Sequence, residues 1–388
     1  MKVSDMSSWA GSAAHRVSRR RFVAAAPAVL TGLAWAANPG RAGAGEVEWL
    51  EEVQRPPSRL PPEAPELPPL LVGPGGTPIH SRAQWESERR RIRRDWMRFL
   101  GPMPADRPPL EMEVLEEEEL DGALVRQLVR YNAEAGVRVE GYLLAPAAAS
   151  ERDRRAGVVA LHQTSSLTID LVAGVNGPEE QQIGLKLARR GLVVFCPRCF
   201  LWQDAGNFLE AMARFKQRHP EALCMHKMLW DASRGVDLLA SLPQVDATRI
   251  GAAGHSLGAI ESLYLAAFDE RVQVTVASEA GMDFSFTNWH DPWFLGPAIR
   301  SPDFKLNHHQ LLALTAPRAF LLLAGESGRH AADGDRSWPF IEAALKVYRL
   351  YGSPARLGIY NHGKGHTLPP QAFQRMAEWL KTYLRVKS

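Results

Sequence analysis

The sequence predicts an α/β protein, a mostly parallel sheet covered by helices on both faces. Three observations carry this. Short apolar runs alternate with helix-like stretches from about residue 111 onward. Residues 251–260, GAAGHSLGAI, set Gly-x-Ser-x-Gly between a strand pattern and a helix pattern. A Gly-rich loop bearing two histidines, YNHGKGH, follows the last strand pattern.

The 388 residues, 45% hydrophobic and 23% charged, suffice for one large core or two modest ones. The first 44 are set apart. Ser18-Arg19-Arg20-Arg21-Phe22 resembles the twin-arginine export motif, and the apolar run Phe22 to Ala37 is too short and mild for a membrane span. Ala42-Gly43-Ala44 then supplies a small-x-small cleavage site. The expectation is export by the twin-arginine machinery to the periplasm or beyond, with no stable membrane anchor after cleavage. This segment carries a net charge of about +5 out of the chain's +3, so the remainder is slightly acidic. A nucleic-acid partner is thereby disfavoured.

Residues 45–110 read as an arm and a helix. Nine prolines between Pro56 and Pro78 favour an extended conformation. Ser81 and Gln84 form a capping box, and Gly101-Pro102 a stop. Between them Trp85, Ile92, Trp96 and Phe99 share one helix face, and the arginines 89–94 read as a solvated opposite face. The catalytic domain is expected over 111–388. EMEVLEEEEL, ALVRQLVRYNAE and VRVEGYLLAP suit an antiparallel start. AGVVALHQ, GLVVFCP, TRIGAAGH, VQVTVASE, RAFLLLAG and RLGIYN are apolar on both faces, as strands of a buried parallel sheet must be. Helices are expected at 179–190, 221–242, 257–268, 338–351 and 370–384.

Ser256 stands where a strand ends and a helix begins, with Gly254 and Gly258 permitting a sharp turn. A serine hydroxyl needs a base. His366, in the loop after the last strand, is the candidate, and His362, nearer the strand end, reads as loop support.

In order, LHQT, GHSLG, HHQLLALTAPRAFLLLAGE and YNHGKGH resemble the α/β-hydrolase fold esterases, in particular acetyl xylan esterases, dienelactone hydrolases and glucuronoyl-esterase-like proteins. The resemblance covers about residue 110 to the C-terminus. It implies a Ser-His-acid triad and an acyl-enzyme route. Many such hydrolases carry an Asp where Gly328 stands here. The loop continues with Asp333, which resembles the acid of glucuronoyl-esterase-like relatives; the alternative in those relatives is a Glu after the sixth strand, the place of Glu279. Asp333 ranks first and Glu279 second. The oxyanion hole is expected from the N–H of Leu257 and that of Gln163 or Thr164, with His162 as hydrogen-bonded scaffold.

The glucuronoyl-esterase elbow carries an Arg after the serine, whereas this chain has Leu257, which favours an acetyl or other small acyl ester. Trp289 and Trp293, between VQVTVASE and RAFLLLAG, are candidates for a sugar or acyl wall, as is Trp202. The chain reads as a carbohydrate ester hydrolase needing no cofactor or metal. Alternatives are glucuronoyl-esterase-like or peptidase activity on the same fold, or a non-catalytic carbohydrate-binding homologue. Cys196, Cys199 and Cys224 lack the second pair a zinc site needs and read as structural, with room for one disulfide.

Overall fold

The computed structural model describes residues 45–121, 123–327 and 330–386, so the export segment 1–44 lies outside the described residues. The strands are β1 (Glu113–Leu120), β2 (Leu124–Glu134), β3 (Val137–Pro146), β4 (Arg155–Leu161), β5 (Val193–Pro197), β6 (Val245–His255), β7 (Val272–Ser278), β8 (Ala319–Ala324) and β9 (Leu357–Asn361). They form one sheet in the order β1-β2-β3-β5-β4-β6-β7-β8-β9. The first three are antiparallel, β3 meets β5 antiparallel, and β5 to β9 with β4 run parallel. This is the α/β-hydrolase fold.

The helices are α1 (Arg82–Leu100), α2 (Ile169–Val172), α3 (Ile183–Ala188), α4 (Phe208–Arg218), α5 (Cys224–Ser241), α6 (Leu257–Phe268), α7 (His308–Thr315), α8 (Trp338–Tyr348) and α9 (Pro370–Tyr383). The expected helix at 179–190 divides at Gln182 into a 3-10 turn and α3. Helices α4 and α7 were not expected; each starts from an Asn cap, Asn207 and Asn307. Alternation along each strand splits the core in two. Val159 and Leu161 face the side of α5, α6 and α7, while Val158 and Ala160 face that of α3 and α9.

Both sheet edges are protected. On β1 the exposed glutamates meet β2 and β3 partners, Glu118 with Arg126 and Glu113 with Arg138. At the other edge the N-terminal arm covers β9. Val53 lies over Gly358, where a Cβ would come within 2.4 Å of its Cγ2. Gln54 Nε2 donates to Leu357 O at 2.8 Å, and Trp49 packs on Trp379.

Helix α1 has the predicted capping box and buries Trp85, Ile92 and Trp96. Trp96 Nε1 donates to Gln310 Oε1 at 3.1 Å and its ring stacks on His308. The arginines do more than face solvent. Arg89 bonds Glu270, and Arg93 donates to the Ala267 and Phe268 carbonyls at the end of α6, which favours a cation.

The disulfide expectation is corrected. All three thiols are free and buried. Cys196 sits on β5 facing Gly184 of α3, whereas Cys199 joins the opposite half of the core. The sheet itself separates the pair. Burial pushes all three thiols up, that of Cys224 to about 11, which suppresses the reactive thiolate. Dithiothreitol should therefore leave the melting temperature and the activity unchanged, and a thiol-labelling count of the native protein should find all three protected until unfolding. A melting temperature that falls on reduction would reveal a cross-link.

Candidate active site

The turn at Ser256 is dictated by how closely three backbones pass. A Cβ on Gly258 would lie 2.1 Å from Leu161 O at the end of β4, and one on Gly254 would lie 2.3 Å from the Gly258 carbonyl. Neither site tolerates a side chain, so α6 starts hard against the sheet and Ser256 is thrown into a conformation with φ 57° and ψ −119°. That is costly for a non-glycine residue and is the strained corner expected of a nucleophile elbow. Ser256 N–H donates to Ser278 O at 2.8 Å, which pins the corner to β7.

Ser256, His255 and His366 border one small cavity of about 110 Å³, together with Gln163, Thr164, Gln181, Ile183, Thr367 and Leu368. Among the described residues its lining holds no Arg or Lys. His366 stands in the loop after β9, with its ring 4.9 Å from that of His255. His255 Nδ1 lies 3.0 Å from Ser278 Oγ, and burial drives its pKa down to about 3, so this ring stays neutral.

The two candidate acids part company here. Glu279 follows β7, with φ 59°, and its N–H donates to Leu323 O at 2.9 Å. Its carboxylate is 1% exposed. Oε2 accepts the Ala332 N–H at 2.7 Å and lies 3.4 Å from His366 Nδ1; Oε1 lies 3.7 Å from His362 Nε2. Asp333, ranked first from sequence, is turned to other work. Its oxygens accept the N–H groups of Gly281 at 2.9 Å and Met282 at 2.8 Å, and the Ser337 hydroxyl at 2.8 Å. Burial and the Glu279 charge nevertheless hold its pKa up at about 6, against the pull of those three donors. The structure thus brings Glu279, not Asp333, to His366, and Asp333 fastens the chain just beyond Glu279. Gly328 lies outside the described residues.

On the opposite wall, His162 Nε2 accepts the Cys199 N–H at 3.0 Å, which leaves the ring proton on Nδ1, 2.8 Å from Gln163 O. Burial lowers its pKa to about 4, so it is a neutral scaffold that fixes the Gln163–Thr164 peptide. Leu257 is the first residue of α6, at the free N-terminal end whose N–H groups lack helical acceptors. Gln163 Nε2 donates to Gln181 Oε1 at 3.0 Å, so this amide pair forms one side of the cavity. Gln181 went unnoticed in the sequence, because it falls inside the stretch read as a helix at 179–190, where one more polar residue carries no signal of a site.

Trp289 is corrected. It is 0% exposed, donates to Gly281 O at 2.6 Å and packs on Tyr264 and His308, so it belongs to the core beneath the loop. Trp293 does not border the cavity. It is half-buried and meets Phe208, which in turn meets Trp202, whose ring lies against His162. Among the described residues no group of three or more His, Cys, Asp or Glu is placed to hold a metal ion, and no helix is long and apolar enough to cross a membrane.

Residues 139–279 match the dienelactone hydrolase family. No curated protein of significant similarity was found. Among solved structures, the chain is similar to the glucuronoyl esterase from Solibacter usitatus, at 19% identity and TM-score 0.69 over 84% of this chain and 99% of that one. It is also similar to the glucuronoyl esterase from Teredinibacter turnerae, at 20% identity and TM-score 0.64 over 81% and 88%. A Bacteroides fragilis protein described as an acetyl xylan esterase aligns at 14% identity and TM-score 0.55 over 76% and 79%. With the family match, the fold and the serine elbow, the chain is a serine ester hydrolase.

Glu279→Gln is expected to lower kcat by about 10³–10⁴-fold, the usual loss when the residue orienting a catalytic histidine is neutralised. Asp333→Asn should keep kcat within about tenfold while lowering the melting temperature. Steady-state rates on 4-nitrophenyl acetate decide it, and the reverse ranking would return the acid role to Asp333.

Proposed function

We propose that the protein is an exported carboxylic-ester hydrolase that removes acetyl or other small acyl groups from carbohydrate esters, with Ser256, His366 and Glu279 as its triad. The observation that carries this is the fully buried Glu279 carboxylate, its Oε2 3.4 Å from His366 Nδ1, beside a cavity that Ser256 and His366 share. The dipeptide Arg19-Arg20 and the small-residue site before Gly45 support export.

In the proposed route His366 Nε2 takes the Ser256 proton as Oγ attacks the ester carbonyl, and Glu279 stabilises the imidazolium. Charge developing on the carbonyl oxygen meets the Leu257 N–H and the strand-end loop. In that loop His162 holds the Gln163 carbonyl, so the Thr164 N–H, trans across the same peptide, is aimed the opposite way. The Gln163 N–H is the neighbouring donor. Departure of the alcohol leaves an acyl-Ser256, and water activated by His366 releases the acid.

The cavity supports a small, neutral acyl group. At about 110 Å³ it is well below the usual few hundred Å³ of a drug-sized site. Ile183 and Leu368 offer apolar contact, while Gln163, Gln181 and Thr164 offer uncharged hydrogen bonds. The half-buried Trp202 and Trp293, linked through Phe208, are a face on which a sugar ring can stack outside it. The second reading, glucuronoyl ester cleavage, is favoured by the overall likeness to the Solibacter and Teredinibacter enzymes. Against it, the lining has no cation among the described residues to receive a released uronate.

Acetate release from an acetylated xylo-oligosaccharide and methanol release from a methyl glucuronate ester, each with Ser256→Ala as the blank, test the proposal. Acetate release that falls at least about 10³-fold in the variant is expected. Methanol release of comparable efficiency would favour the second reading. Activity untouched by Ser256→Ala would overturn the assigned nucleophile.

A further inference from the structure

We infer that His362 is a second imidazole on the Glu279 carboxylate, a positioning residue that holds the free oxygen Oε1 while His366 works against Oε2. The inference rests on the triad reading above. Its ring is 2% exposed, in a loop tied to β8 by the His362 N–H to Ala324 O bond at 2.9 Å. The Lys364 N–H donates to His362 Nδ1 at 3.2 Å. A neutral ring that accepts at Nδ1 carries its proton on Nε2, and that is the atom 3.7 Å from Glu279 Oε1. Burial and the neighbouring Lys364 lower the His362 pKa, which keeps this ring neutral.

The need for such a group is plain from Glu279. Oε2 has the Ala332 N–H as well as His366, whereas among the described residues Oε1 is buried without a hydrogen-bond partner. A buried anion left half-uncompensated is costly, and it can relieve that cost by rotating or by taking a proton. A polarised N–H 3.7 Å from Oε1 opposes both. At 3.7 Å this is an electrostatic contact, as is the 3.4 Å approach of His366. Catalytic hydrogen bonds commonly tighten when a substrate is bound. Among the described residues, Asp333 from the loop after β8 faces Glu279, while His255 at the end of β6 faces both imidazoles and Lys364 faces His362.

The sign of the pH effect follows. Without the Nε2–H, Glu279 either keeps its charge and holds a proton on His366 more strongly, or becomes protonated itself at a higher pH. Both move the acid limb of kcat/KM to higher pH. Two variants separate this from loop support. His362→Asn keeps an acceptor near the Nδ1 position for Lys364 N–H and loses the reach to Glu279; His362→Gln keeps a donor near the Nε2 position.

The experiment measures kcat/KM against pH on 4-nitrophenyl acetate for both variants and for Glu279→Gln, with melting temperatures as a check on folding. Support is a shift of about 0.5–1 pH unit in the acid limb of His362→Asn, an approximately tenfold fall in kcat with KM little changed, and recovery towards wild type in His362→Gln. An unshifted acid limb in His362→Asn overturns the inference, as does equal loss in both variants without a shift. Glu279→Gln that retains wild-type activity overturns the triad itself, a result distinct from an inactive Glu279→Gln with an unshifted His362→Asn. Should His362→Asn not fold, an acid limb of folded His362→Gln shifted as far as about 1 unit would likewise overturn it.

Discussion

A carboxylate that cannot reach water must be compensated by protein, and the active end of this molecule is organised around that requirement at Glu279. One oxygen takes the Ala332 N–H and faces His366, and the other faces His362. Three separate chain segments are thereby drawn together: the end of β7, the loop after β8 and the loop after β9. Asp333 completes the arrangement one step away, by accepting the N–H groups of Gly281 and Met282. Two acids in one buried space divide the labour, one anchoring the loop and one facing the base. The elevated pKa of Asp333, at about 6, is the trace of their mutual repulsion added to burial.

The parallel sheet makes such convergence possible. Strands that all run the same way end at the same face, so the residues following β4, β6, β7, β8 and β9 meet although they are far apart in sequence. Gln163, Ser256, Glu279, Asp333 and His366 come from these five strand ends in turn. The opposite ends and both edges are tied by other contacts: the Arg93 cap on α6, the glutamates of β1 and the arm over β9.

What was legible in the sequence was what local chemistry decides. The glycines at 254 and 258 are demanded by backbone contact with Leu161 and with each other, so the serine between them stands out. His366 stands out because its loop closes the last strand. The choice between Asp333 and Glu279 was not legible, since each is a loop carboxylate and only the fold of 280–337 decides which one turns toward the histidine. The tryptophans misled for a related reason. Trp289 has the composition of a lid residue, but its indole N–H finds the Gly281 carbonyl and its ring the interior. The Cys196–Cys199 spacing suggests a pair, whereas Cys196 on β5 and Cys199 just past the strand end bury their side chains in opposite halves of the core.

The strain in the site is not a defect awaiting relief, because the sheet extends to hold it. Ser256 and Glu279 are both non-glycine residues with positive φ, at 57° and 59°, each one residue past the end of its strand. Such positions cost on the order of 1–3 kcal/mol each. In both cases the strained residue's own N–H continues the ladder onto the neighbouring strand, Ser256 to Ser278 and Glu279 to Leu323. A buried backbone bond of this kind is worth about 0.5–1.5 kcal/mol net, and more if its loss leaves the N–H unpaired. The two terms are of similar size, so each strained corner is held at little net cost. The same continuation couples the corners: Ser256 hangs on the last residue of β7, and the next residue is Glu279. Nucleophile and acid are therefore placed by one stretch of backbone.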